Sequence, residues 1–208
     1  MMETEKVIVG TVWEVPLELD LGYGYLKLID SCYLDSWGWL VYIYDLNRRD
    51  QWKGKDISTF NDIDYLTSPL LGFHNPPQRG EKRWKKLGIL PLLNEECLLP
   101  EFKAYQNKLL SPHEQKWSVT IGGSAQYANK YGDRDYETVK HLGCFGHKSL
   151  RVFSHRVTME WLRKLGMDYN YYEANEVDSD FIRNQKYEIS ITPLYTEVPK
   201  NIRNRILK

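Results

Sequence analysis

The sequence predicts a mostly β protein of the α+β class, with a small curled antiparallel β-barrel or sandwich in its N-terminal half and mixed strands and helix in its C-terminal half. Three short runs rich in β-branched and aromatic residues open the chain, at 7–15, 25–29 and 39–44. Pro16 and the Gly22-Tyr-Gly24 bend separate the first two runs, because proline cannot donate to a strand ladder and glycine permits a sharp turn. Short strands separated by such bends are typical of small barrels and sandwiches.

The pattern of the N-terminal half predicts its strands one by one. The first run alternates, so that one face carries Val7, Val9, Thr11, Trp13 and Val15. The third run is almost entirely apolar or aromatic, which predicts a central strand. Residues 66–73 and 87–92 predict two further strands, and the Pro76-Pro77 loop between them excludes helix. We interpret 99–103 as a connector.

The second half combines both kinds of element. Residues 105–118 break the pattern, which predicts a β-rich domain at 1–104 and an α+β extension of unknown role at 105–208; the two can still pack as one unit. Beyond this break the sequence predicts a strand at 117–121 and a helix at 157–165 that Ser154 caps and Gly166 ends. It also predicts a strictly alternating strand at 187–193 and a short docked helix at 200–208.

Composition and charge favour a soluble binding protein. The chain has 28 basic and 28 acidic residues, and this balance argues against a broad nucleic-acid or anionic-membrane surface. Its fifteen Tyr and seven Trp suit surfaces that bind proteins. The three cysteines are odd in number and widely spaced, and no secretory signal or membrane-spanning run is visible. We therefore expect a cytoplasmic protein without disulfides.

Several of these pieces occur in a characteristic order. The chain carries Gly10-Thr-Val-Trp-Glu-Val-Pro-Leu17, then Gly22-Tyr-Gly-Tyr-Leu-Lys-Leu-Ile-Asp30, and later Pro76-Pro77-Gln78-Arg79, Trp84, Gly88 and Pro100-Glu101-Phe102. Over residues 7–103 this succession resembles the immunity protein 26 family of bacterial polymorphic-toxin systems. The resemblance implies a mostly β protein that neutralises a cognate toxin by stoichiometric binding, with no catalytic residues and no cofactor. Residues 104–208 lie outside it.

Two groups of residues are candidates for the toxin-binding surface. Trp37 and Trp39 flank Gly38 at a bend, where an exposed indole can anchor an interface. An acidic segment can mimic nucleic-acid phosphates and block a cationic toxin cleft, and it contains Glu173, Glu176, Asp178 and Asp180. The structural alternatives are core packing for the aromatic residues and a solvated turn for the acidic ones.

The alternative function is nucleic-acid binding through the basic segment 79–86. Its cations can contact phosphates and its indole can stack on a base, which involves Arg79, Lys82, Arg83, Trp84, Lys85 and Lys86. Because the domain as a whole is not basic, the competing interpretation is a solvated loop with Trp84 turned inward.

A third group contains residue types used by metal sites and thiol enzymes. His141, Cys144 and His147, with His155 nearby, lack the tight ligand pairs of a structural zinc site. Cys144 beside a histidine also lacks any visible orienting group or oxyanion site. The sequence therefore predicts neither a metal site nor an enzyme.

Overall fold

The computed structural model describes residues 9–31, 38–80, 82–122, 131–174 and 177–205. About 26% of the chain is helical and 31% is strand, arranged in two sheets, so the protein belongs to the α+β class. The strands are β1 (Val9–Pro16), β2 (Tyr23–Asp30), β3 (Trp39–Arg48), β4 (Leu70–Phe73), β5 (Lys85–Pro91), β6 (Glu101–Tyr105), β7 (Trp117–Ile121), β8 (Tyr131–Arg134), β9 (Gly143–Cys144) and β10 (His147–Ser149). The α-helices are α1 (Tyr136–Val139), α2 (Phe153–Lys164) and α3 (Ser179–Ser190). Short 3-10 turns are Ser58–Asp62, Leu150–Val152, Tyr169–Tyr171, Tyr195–Glu197 and Lys200–Ile202.

The first sheet has six strands in the order β10-β4-β3-β2-β1-β5. All its neighbours are antiparallel except β10 and β4, which run parallel. The predicted central position of β3 is confirmed. No ladder joins the outer strands β10 and β5 in the described ranges, and the predicted barrel closure is not found there.

Both faces of the first sheet are buried. The face that packs against α2 includes Trp13, Val15, Leu26, Leu28, Val41 and Ile43, and α2 contributes Phe153, Val157 and Trp161 to the same cluster. The other face is largely aromatic and includes Val12, Tyr25, Tyr42 and Tyr44, against which Phe60, Tyr65 and Phe102 pack from outside the sheet. Alternation along each strand supplies both faces, as the sequence predicts for Trp13 and Val15. The strand aromatics Tyr25, Tyr42 and Tyr44 are therefore core residues.

The second sheet is smaller, and it shares contacts with the first. Its order is β8-β7-β6-β9, with β9 parallel to β6. The position between residues 104 and 105, where the sequence places a domain boundary, lies inside β6. Strand β10 and helix α2 both come from the second half, yet they extend and cover the first sheet. Both halves of the chain therefore contribute to the same core.

Helix α2 starts earlier than predicted and ends as predicted. Ser154 is buried within the helix and does not cap it. At the C-terminal end, Gly166 has φ +70°, and its N–H donates to Arg163 O at 3.0 Å while Met167 N–H donates to Leu162 O at 2.9 Å. These two bonds form the Schellman motif, so the predicted role of Gly166 is confirmed.

Three predicted elements are wrong or incomplete. Residues 187–193 were expected as a strand, but 187–190 close helix α3, whose buried Ile182, Gln185 and Ile189 recur at helical spacing. The expected connector at 99–103 contains most of strand β6. The C-terminal tail has one 3-10 turn at Lys200–Ile202, and 206–208 lie outside the described residues. None of the helices in the ranges given above is both long and apolar enough to cross a membrane.

Candidate functional site

The acidic segment is held mainly by local contacts. Asp178 is the N-cap of α3, and its carboxylate accepts a hydrogen bond from Asp180 N–H at 2.8 Å. Asp180 in turn pairs with Arg183 at 2.5 Å, one helical turn away. Glu173 is exposed beside a cleft of about 430 Å³, and Glu176 lies outside the described residues. Two of the predicted carboxylates thus stabilise a helix start, as carboxylates at helix N-termini commonly do.

Trp39 is fixed in place by the fold. It begins β3, is half-buried against the α2-facing core, and its indole N–H donates to His74 O at 3.0 Å. Trp37, its predicted companion, lies outside the described residues. Trp39 therefore supports the backbone at His74 more than it projects towards a partner.

The basic segment divides into an inward and an outward part. Trp84 is only 4% exposed and belongs to the core beside α2, so its indole presents no open face on which a nucleobase could stack. Arg79, Lys82, Arg83, Lys85 and Lys86 are all exposed. The inward interpretation of Trp84 is correct, because a large indole stabilises the core more than it would stabilise a solvated loop.

A basic groove runs beside this segment. It has a volume of about 640 Å³, and its cationic lining consists of Arg79, Lys82 and Arg151, with His74 at one end. His74 Nδ1 lies 3.0 Å from Ser149 Oγ, which joins the loop after β4 to β10. Arg151 comes from the second half of the chain, and no pattern in its own sequence neighbourhood marks it. Only the pairing of β10 with β4 brings it to the groove.

Glu18 connects this groove to helix α2. Its Oε1 lies 3.2 Å from Lys82 Nζ and 3.3 Å from His155 Nδ1, and its Oε2 accepts a hydrogen bond from Tyr172 Oη. Its backbone N–H donates to Thr158 Oγ1 at 3.2 Å. Burial raises the pKa of Glu18, but the Tyr172 hydrogen bond and the charges of His155 and Lys82 outweigh burial and lower it. The carboxylate is therefore held ionised at the junction of four chain segments.

Two exposed residues with large apolar side chains are the sequence neighbours of Glu18 and Tyr172. Leu19 follows Glu18 and is 61% exposed, and Tyr171 precedes Tyr172 and is 85% exposed. Leu19 has φ +55°, a left-handed conformation that costs about 1–2 kcal/mol for a residue with a side chain. We call Glu18, Leu19, Lys82 and Tyr171, together with Arg79 and Arg151 of the groove, the Glu18 surface. Leu19 is not among the site residues predicted from the sequence. The pattern that could have identified it is a leucine between the acidic residues Glu18 and Asp20 in a turn.

Two of the residues considered for thiol or metal chemistry, Cys144 and His141, are buried in the fold. Cys144 is buried, burial raises the pKa of its thiol, and Sγ contacts Thr192 Oγ1 at 3.8 Å. Burial likewise lowers the pKa of His141, whose Nε2 bonds to Arg205 O. Within the ranges that the structure covers, no group of three or more His, Cys, Asp or Glu side chains is placed to hold a metal.

Comparison of the chain with protein-family models, with curated proteins and with solved structures finds no match. Function therefore has to be inferred from the residues of this chain.

Proposed function

We propose that this protein neutralises a bacterial toxin by binding it stoichiometrically in the cytoplasm, and that the Glu18 surface contacts the toxin. The observation that carries the proposal is Leu19, an exposed bulky side chain on strained backbone. Residues in sparsely populated backbone regions concentrate at functional sites. The resemblance of residues 7–103 to the immunity protein 26 family supports the same function.

Leu19 contributes to neither the core nor the turn. Its side chain is largely in water, and glycine would adopt φ +55° without the steric penalty. Apolar burial against a partner would remove this side chain from water, which is worth about 1.5–3 kcal/mol for a fully buried leucine. Tyr171 adds a residue type that is enriched at the energetic centres of interfaces.

The charges that line the groove beside Glu18 support a partner of the opposite sign. The groove has a cationic lining of Arg79, Lys82 and Arg151. By contrast, the Asp178 carboxylate caps the start of α3 and Asp180 pairs with Arg183. Complementary potentials steer association and set specificity. The structure thus favours an acidic toxin surface over the cationic cleft that the sequence suggested.

The test combines partner binding with stability. The protein is co-expressed with the product of the adjacent gene, and affinity is measured by titration calorimetry for the wild type, Leu19→Gly and Tyr171→Ala. We expect Leu19→Gly to weaken binding at least tenfold, about 1.4 kcal/mol, while the melting temperature stays the same or rises. Leu109→Gly is the matched control, because Leu109 is 87% exposed in the loop between β6 and β7. Absence of a complex at micromolar concentration, or full affinity of Leu19→Gly, would refute the proposal.

Nucleic-acid binding remains a second candidate because three cations line one groove. Arg79, Lys82 and Arg151 all line this groove, and cations of this kind contact nucleic-acid phosphates. The burial of Trp84 removes the base-stacking platform that such a site would use. A gel-shift titration at low salt with wild type and Arg79→Glu separates the two candidates: no shift eliminates nucleic-acid binding, whereas a salt-dependent shift that Arg79→Glu abolishes supports it.

A further inference from the structure

A second cleft lies beside strands β1 and β5. Its volume is about 430 Å³, and its polar lining consists of Glu14, Tyr23, Gln51, Gln78, Arg83 and Lys85. Gln78 also lines the basic groove, so the two clefts meet at the loop between β4 and β5. Unlike that groove, this cleft combines an acid with two bases.

The acid is buried and incompletely hydrogen-bonded. Glu14 is 1% exposed, and its Oε2 accepts hydrogen bonds from Tyr25 Oη at 3.2 Å and from Trp52 N–H. Its Oε1 is also buried, yet it has no hydrogen-bond partner among the described residues. A buried polar atom without a partner costs about 1–3 kcal/mol, and more when it is charged. Such atoms are rare in folded proteins, and each requires an explanation.

The cross-strand base does not neutralise this acid. Lys85 is the cross-strand neighbour of Glu14 in the β1–β5 register, but its Nζ donates to Trp52 O at 2.9 Å. The N–H of Trp52 thus binds the carboxylate, and the C=O of the same residue binds the ammonium. Over the described ranges, no ion pair joins Glu14 to Lys85 or to the exposed Arg83. One acid and two bases therefore line the same cleft with no ion pair between them in the described ranges.

We propose that this cleft binds an amino-acid-sized zwitterion, whose ammonium group donates to Glu14 Oε1 and whose carboxylate pairs with Arg83 and Lys85. A simple cation would be repelled by the two bases, and a simple anion would be repelled by Glu14. Only a ligand with both charges a few ångströms apart satisfies the whole lining. The volume accommodates an α-amino acid together with its side chain. None of its charged residues belongs to the Glu18 surface, although the two clefts share Gln78, so the inference does not depend on the proposed toxin.

The experiment uses the full chain and a panel of amino acids. Thermal-shift screening with the twenty L-amino acids is followed by calorimetry on those that raise the melting temperature. Ethylamine and propionate serve as half-ligands that carry only one of the two charges. We expect saturable binding of at least one amino acid, and no binding of either half-ligand at the same concentration.

Three variants assign the binding to this cleft. Glu14→Gln keeps the shape of the side chain and is expected to weaken binding at least tenfold. Arg83→Ala removes an exposed base without touching the core and should also weaken binding, which keeps the test decisive if Glu14→Gln does not fold. Arg79→Ala, in the neighbouring groove, is the matched control and should bind like the wild type. Failure of every amino acid to bind, equal binding of a half-ligand, or unchanged affinity of Arg83→Ala would overturn the proposal.

Discussion

Replacing Lys27 by methionine tests a fully buried ion pair between the first sheet and the loop after β5. Lys27 lies in the middle of β2 and is 1% exposed, with its Nζ 2.6 Å from Glu96 Oε2 and 2.9 Å from Pro91 O. Glu96 is fully buried as well, and it also accepts hydrogen bonds from Leu93 N–H and from Tyr65 Oη. Lys27→Met keeps the aliphatic stem but removes the charge, so Glu96 is left as a buried carboxylate with two neutral donors.

The expected loss follows from that arrangement. Removing one partner of a buried ion pair costs about 3–5 kcal/mol, because the remaining charge is still desolvated. The Pro91 carbonyl also loses its ammonium donor, which places Lys27→Met in the upper part of this range. Adding Glu96→Gln removes the uncompensated charge, and we expect the double variant to recover part of the loss. Coupling of contacting residues typically amounts to about 0.5–3 kcal/mol.

Urea unfolding followed by circular dichroism measures both effects. With an m-value of about 2–3 kcal/mol/M, a loss of 4 kcal/mol lowers the midpoint by about 1.3–2 M. Lys116→Met is the control, because the Lys116–Asp135 ion pair is exposed on both sides and its loss should leave the midpoint unchanged. A midpoint shift for Lys27→Met no larger than that of the control, or a double variant less stable than Lys27→Met, would refute the reasoning.

Two further predictions concern backbone strain and pH. Gly22 and Gly80 share φ +80°, but a Cβ at Gly22 would lie 2.2 Å from Arg48 O, whereas nothing lies within 4 Å of one at Gly80. Gly80→Ala should therefore lower the free energy of unfolding by about 1–2 kcal/mol, and Gly22→Ala should lower it clearly more. Thermal unfolding of the two variants measures the difference, and equal losses of stability would contradict the prediction. Burial raises the pKa of Asp64, but the hydrogen bonds from Arg203 and from Tyr65 N–H, together with the charge of Arg203, outweigh burial and lower it. The ionised Asp64 carboxylate therefore stabilises the fold above the ordinary carboxyl pKa, and this stabilisation is lost as the pH falls below about 4. Unfolding titrations over this pH range should show a smaller loss of unfolding free energy for Arg203→Ala than for the wild type.

Local patterns predicted the elements whose signals are complete within a short window. Strands β1 to β3 follow from alternation and from the Gly22 bend, and α2 follows from helical spacing with Gly166 at its end. Helix α3 was misread because 187–193 alternates over its last turn, while the helical spacing of Ile182, Gln185 and Ile189 extends further upstream. A short window cannot separate these two periods.

The candidate site was only partly visible in the sequence. The basic segment identified Arg79 and Lys82, because consecutive charges are a local property. Arg151 and His155 join them through the β10–β4 pairing and the packing of α2, which connect residues about 70 or more positions apart. No local pattern reports such contacts. The strain at Leu19 is likewise a property of the folded turn and not of its composition.

The two buried charges of β1 and β2 were missed for a different physical reason. In a sheet with one solvated face, a charged residue that alternates with apolar ones faces water. Glu14 and Lys27 instead lie on the aromatic face of a sheet that is buried on both sides. Lys27 meets a carboxylate from a later loop and is fully paired, whereas one oxygen of Glu14 meets no donor in the described residues. On this face the neutral Tyr42 Oη and Trp52 Nε1 also lack partners among those residues, but Glu14 Oε1 belongs to an acid that lines a cleft beside two bases, which is why we assign the ligand to that cleft.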